Sequence, residues 1–164
     1  MTYAQEPAKL TAGDVMSRVL VTVEPTETPL MAWELMRRSE VHHLPVVDRN
    51  GKVSGILCRE VIAGNWYGGP ETLARQQVGD LLGRERRPRV CVDTPLPQVA
   101  ATMLDSGCDA VPVVGEGGVL LGLITAVDML AVIAGRPPKE RVGADTTPAL
   151  FRMEPVLHPP GAAR

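Results

Sequence analysis

The chain contains one pattern twice. Leu44-Pro45-Val46-Val47-Asp48-Arg49-Asn50-Gly51-Lys52-Val53-Ser54-Gly55-Ile56-Leu57-Cys58 returns as Val111-Pro112-Val113-Val114-Gly115-Glu116-Gly117-Gly118-Val119-Leu120-Leu121-Gly122-Leu123-Ile124-Thr125. Pro45 and Pro112 stand 67 residues apart, as do Gly55 and Gly122, and no gap is needed between these anchors. In each copy a β-branched run meets a Gly-containing turn and then a second apolar run, the signature of a hairpin. Each second run stops where a helical pattern opens. An internal repeat of this length means two similar units that bury a core by packing together.

Composition narrows what such a pair can do. The 164 residues carry a formal charge of −2, which gives no general attraction for nucleic acid or an anionic membrane surface. No apolar run approaches the roughly 18 residues of a membrane span. Met1 to Pro7 has neither the basic nor the apolar part of a signal peptide. A cytoplasmic location with no membrane and no nucleic-acid partner is therefore expected. Aromatic residues are only 3% of the chain, so Val, Leu, Ile, Met and Ala must build the core. Cys58, Cys91 and Cys108 are odd in number and show no C-x-x-C spacing, against both a disulfide framework and a structural zinc site.

Taken in order, residues 1–9 read as a flexible arm, 10–66 as the first repeat, 67–77 as a linker with a helix, 78–135 as the second repeat and 136–164 as a Pro-rich tail. A short helical lead-in, Leu10 to Met16, recurs at Gln77 to Leu82. Val19 to Val23 is strand-like, and Val90-Cys91-Val92 is the matching opening strand of the second unit. Thr28 followed by Pro29 starts a helix whose inward face is Leu30, Trp33, Leu35 and Met36, with Arg37, Arg38 and Glu40 outward. The hairpin that follows turns at Asn50-Gly51, and a short helix runs from Arg59 to about Gly64. Trp66 and Tyr67 in the linker are expected to cover an edge of the core, and Pro70 to Leu82 to be helical. In the helix from Leu96 to Ser106, Leu96, Val99, Ala100, Met103 and Leu104 follow helical spacing, and Gly107 ends it. The last helix, Ala126 to Ala134, is apolar nearly all round, so it needs cover from a partner subunit as well as from the other repeat. In the tail, Ala149 to Met153 is the one candidate for docking back on the body. Each unit reads β-α-β-β-α. The expected fold class is α/β (α+β), two such repeats packed about a pseudo-twofold axis.

Leu44-Pro45-Val46-Val47-Asp48 with Gly55-Ile56-Leu57, and Val111-Pro112-Val113-Val114 with Gly122-Leu123-Ile124-Thr125-Ala126-Val127-Asp128, resemble the CBS domain. Two in tandem resemble a Bateman module of the stand-alone type, over about Leu10 to Ala134. The resemblance implies an adenine nucleotide (AMP, ADP, ATP or a relative) in the cleft between repeats. It implies that Thr125 faces a phosphate and Asp128 the ribose hydroxyls, with Asp109, Ala110, Val111 and Pro112 beside the base and Val90 and Cys91 on the other side. A helix N-terminus at Thr125 suits an anion, and an ionised Asp suits vicinal hydroxyls. In the first repeat the same positions are Cys58 and Val61, so that site lacks both polar contacts.

Other readings stand beside this one. Thr125-x-x-Asp128 is also a helix capping box that needs no ligand. Within Arg84, Arg86, Arg87 and Arg89, the last three are candidate phosphate contacts, and a solvated loop is the alternative. His42-His43 can titrate near neutral pH or serve surface and core. No nucleophile–base pair, paired carboxylates or phosphate-cradling Gly loop appears, so catalysis and a resident cofactor are not expected. A regulatory homodimer acting on another protein is the leading function. A ligand-free protein–protein scaffold, and a metal or redox sensor using Cys58, Cys91, Cys108 or His158, are the alternatives.

Overall fold

The computed structural model describes residues 6–83 and 87–136, and the backbone of one strand at 149–152. After a single 3-10 turn at Pro7–Lys9, the first half runs α1 (Ala12–Val15), β1 (Val19–Thr22), α2 (Pro29–Ser39), β2 (His43–Val47), β3 (Val53–Cys58) and α3 (Arg59–Gly64). Two short helices, α4 (Gly69–Arg75) and α5 (Val78–Leu81), lead to the second half. That half has α6 (Leu96–Ser106), β4 (Ala110–Val114), β5 (Leu120–Thr125) and α7 (Ala126–Ile133), and β6 (Ala149–Arg152) follows.

The 67-residue offset holds in three dimensions. His43 pairs with Cys58 and Ala110 with Thr125, and both hairpins shift register at the same place, between Val46 and Val47 and between Val113 and Val114. The first turn is closed by the Asp48 carboxylate, which accepts from Asn50 N at 2.8 Å and Lys52 N at 2.9 Å. Thr28 caps α2 by accepting from Met31 N at 3.2 Å, with Pro29 in the first turn where its missing N–H costs nothing. Ala32, Leu35 and Met36 form the buried face of α2, and Leu30 and Trp33 pack beside them.

Several expectations are corrected. Leu104 was expected on the inward face of α6 but is 82% exposed. Met103 already takes the buried stripe, and the next residue turns about 100° away from it. The second opening strand reduces to one bridge, Val90 to Val113, where the first half has β1 and a matching bridge from Val23 to Val46. Among the described residues each opening segment makes only that one bridge to its own hairpin, and the first is a strand because β6 pairs with it. The expected helix from Pro70 to Leu82 breaks between α4 and α5 at Gln76-Gln77. Trp66 meets Trp33 edge to face at 5.7 Å, whereas Tyr67 stands in solvent rather than over the core. Ala149 to Arg152 does dock on the body, pairing in parallel with β1. Arg84, Arg86, Met153 and His158 lie outside the described residues.

Each lead-in helix packs on the opposite half. Gly13 N donates to Val92 O and Ala12 N to Thr94 O, while Gly79 N donates to Pro25 O and Val78 N to Glu27 O. Ala12, Val15 and Met16 accordingly join the core of the second half, and Val78 with Leu81 and Leu82 joins that of the first. Reciprocal exchange of this kind is what an approximate twofold axis between the halves requires. A third cluster, with Leu20, Val47, Val53, Ala110, Val114, Leu120 and Leu123, holds the two halves together. Glycine at 122 keeps this arrangement open, since a Cβ there would lie 2.4 Å from Met16 Sδ.

Candidate functional site

At the open end of the β4–β5 hairpin, Ala110 faces Thr125 in register, and Ala126 N donates to Asp109 O at 2.7 Å. Thr125 is the cap residue of α7. Its N–H and hydroxyl both donate to Asp128 Oδ2, at 2.8 and 2.9 Å, and its Oγ1 accepts from Asp128 N at 3.3 Å. Thr125, Asp128, Asp109 and Ala110 are therefore one cluster. The capping box expected from the sequence is present, and it occupies the Thr125 hydroxyl that the phosphate reading relies on. Asp128 engages Thr125 through Oδ2, and Oδ1 makes no hydrogen bond among the described residues, so it remains one acceptor of this cluster.

The other expected residues lie along β4 and on the segment bridged to it. Val111 and Pro112 run inward along β4, and Val111 is fully buried in the second-half core. Val90 is buried in that same core opposite Val113, about 10 Å along the strand from Ala110. Cys91, exposed, is one residue further still and donates its N–H to Thr94 Oγ1 at 3.0 Å. The structure does not bring Val90 or Cys91 to Thr125.

Arg87 is committed to the backbone. Its guanidinium donates to the carbonyls of Ser54, Leu82 and Gly83, lying so close over Gly55 that a Cβ there would fall 2.6 Å from its Cδ. Partial burial, and then the charge of Arg89, hold Arg87 below the ordinary guanidinium value. Arg89 points to the closed end of the hairpin, with Nη1 3.3 Å from where a Cβ on Gly118 would stand. Arg87, Pro88 and Arg89 line an open cleft of about 840 Å³ with Thr102, Asp105 and Ser106 of α6.

One residue of consequence was not singled out as a site residue. His43 Nε2, on β2, donates to Asp109 Oδ1 at 2.9 Å, joining the first half directly to the candidate site. The imidazole is only 14% exposed, the carboxylate 70%. The repeat offset carried a signal for it: Asp109 is the counterpart of His42, and counterparts close to a twofold axis face one another. In the first half the equivalent cluster has Cys58 as cap residue with no side-chain cap. Burial, and then the Glu60 carboxyl beside it, push the Cys58 thiol above its ordinary value. No group of three or more His, Cys, Asp or Glu is arranged to hold a metal ion among the described residues. No helix among them is long and apolar enough to cross a membrane.

Comparison with known proteins agrees with this architecture. The CBS domain family matches residues 12–63 and 78–135, so the chain belongs to the CBS-domain family and carries two copies in tandem. It is 31% identical over 146 residues to the uncharacterized protein MJ1404 of Methanocaldococcus jannaschii, covering 86% of this chain and 30% of that protein. The structure of CBSX2 in complex with AMP is similar at a TM-score of 0.66 and 26% identity, over 76% of this chain and 96% of that one. The cytosolic domain of the Mg2+ channel MgtE in complex with ATP matches at 0.61 and 26%, over 74% and 48%. The chain spans about a quarter to a third of the length of the curated relatives it matches first.

Proposed function

We propose that this tandem CBS pair is a regulatory, non-catalytic module that binds an adenine nucleotide or a close relative of one. The ligand sits in the cleft between the repeats, mainly through the second repeat. The observation that carries the reading is the cluster at the head of α7. Asp128 is held in place by Thr125 through one oxygen and keeps the other available for vicinal ribose hydroxyls. Asp109 and Ala110 stand beside it at the strand end. The AMP and ATP in the two structures above support an adenine-containing ligand. The first repeat, with Cys58 and Val61 in place of Thr125 and Asp128, contributes no such polar pair.

The module works as a homodimer. On α7, Val127, Leu130 and Ile133 are 69%, 63% and 73% exposed, and no residue of this helix is fully buried. Such an apolar face matches a second copy of itself across a twofold axis. A ligand that draws the repeats together changes the angle presented to the regulated protein. Titration calorimetry with AMP, ADP and ATP tests the reading. Binding at one site per chain, weakened about 10- to 100-fold in Asp128→Ala, supports it. Flat traces for all three, and for adenosine, favour a ligand-free scaffold acting through protein contacts.

A further inference from the structure

We infer that the outer edge of β1 is a strand-addition site for an extended segment of a partner protein, filled in this chain by its own Ala149–Arg152; this is independent of what the cleft binds.

β1 is fixed at both ends and by its side chains, whether or not β6 lies beside it. Ser17 N donates to Leu123 O at 2.9 Å, and Leu123 N donates back to Ser17 O at 3.0 Å. At the far end Val23 N donates to Pro45 O at 3.1 Å, and Val23 O accepts from Val47 N at 2.9 Å. Leu20 is buried in the cluster that joins the two halves, and Val21 packs beside the first-half core. Between these anchors, Val19–Thr22 pair with β6 alone among the described residues, in parallel, from Val19 opposite Ala149 to Thr22 opposite Arg152. Leu20 and Thr22 are 5% and 3% exposed, so an added strand is what satisfies the backbone of this stretch. A strand held rigid in this way is a template on which an extended peptide can add through main-chain bonds.

β6 is an addition to the repeat rather than part of it. Ala149–Arg152 lies beyond both stretches that match the CBS family. The second half bridges Val90 to Val113 as the first bridges Val23 to Val46, with no added strand beside Val90 among the described residues. A parallel ladder of four residues is a weak attachment by itself, and β6 holds it because it is on the same chain, at an effective concentration on the order of millimolar. A partner segment takes the same main-chain bonds and gains its advantage through side chains. Val19, 49% exposed, has Ala149 opposite it in register, where a β-branched or aromatic residue packs better than Ala.

The test compares the full chain with its double variant Leu150→Pro, Phe151→Pro. Neighbouring N–H groups of a strand point to opposite sides, so the two prolines together remove the donor aimed at β1. Amide hydrogen exchange over Val19–Thr22 is expected to quicken at least about tenfold in the variant, with β2 and β3 unchanged. A fluorescent peptide of residues 147–154 is expected to bind the variant at least about tenfold more tightly than the wild type, and more tightly still with Ala149→Val. Unchanged exchange over Val19–Thr22 overturns the inference, as does equal binding of the peptide to both proteins or to neither. Loss of protection in β2 and β3 as well also overturns it, because β6 is then a fixed part of the fold and not an exchangeable occupant.

Discussion

Glu40 ends α2 in the left-handed conformation, at φ 54°, that Gly107 adopts at φ 64° to end α6, 67 residues further on. The repeat has kept the backbone and changed the residue. A side chain with a Cβ is disfavoured in this region by about 1 kcal/mol, and glycine is not. Glu40→Gly should therefore raise stability by about 0.5–1 kcal/mol, and Gly107→Ala should lower it by a similar amount, both read from urea midpoints. Equal and unshifted midpoints for the two variants would show that the surrounding turn, not the residue, sets this conformation.

Thr125 and Asp128 separate structural from ligand effects. Thr125→Ala removes an acceptor for Asp128 N and should cost about 0.5–2 kcal/mol, while Thr125→Ser should cost much less. If the pair were only a cap, Asp128→Ala would lower the melting temperature and leave the affinity of any bound adenosine probe unchanged. The expected result is a loss in both. Comparing melting curves with calorimetry on the same variants decides between them.

Much of this was legible in the residues themselves, because it is local. Pro45 and Pro112, Gly55 and Gly122, and the box at Thr125 each declare a hairpin or a helix start within a few positions, and periodicity locates α2 and α6. What was not legible depends on which element lies across the axis. The exchange of α1 and α5 between halves leaves no trace in either helix, since an apolar face reads the same whichever core receives it. Leu104 fits the inward spacing of α6 as well as Ala100 does, and only the position of the neighbouring elements turns it outward. Arg87 looks like any member of a basic loop until Ser54, 33 residues away, supplies a carbonyl for it. Val90 and Cys91 were assigned to the cleft on family grounds, and the bridge from Val90 to Val113 sets Val90 about 10 Å along the strand from Ala110.

Cys58 gives a pH-dependent prediction. Its thiol sits above the ordinary value because burial and then Glu60 disfavour the thiolate. A group raised in the folded state stabilises fully below its unfolded value and loses that contribution as pH rises through the folded one. Wild-type stability should accordingly fall above about pH 9 more steeply than that of Cys58→Thr. Thr at this position also supplies the side-chain cap that α3 lacks, and should add about 0.5–1 kcal/mol at neutral pH. At pH 8 iodoacetamide should modify exposed Cys91 well before Cys58, followed by mass spectrometry. Faster modification of Cys58 would reverse the assignment and revive a redox role.

The apolar face of α7 gives the last prediction. Val127, Leu130 and Ile133 recur at helical spacing on the exposed side, while Met129 and Val132 pack on the second-half core. Left in water, three large side chains forgo about 1.5–3 kcal/mol each of burial. A twofold contact recovers this on both copies at once, so a substitution there is felt twice. Leu130→Glu should leave the monomer fold intact, because its side chain supports no core, and should weaken self-association by about 100-fold or more. Sedimentation velocity on wild type and variant checks this, with circular dichroism to confirm the fold. A wild type that sediments as a monomer, or a variant that sediments as the same dimer, would move the partner surface away from α7.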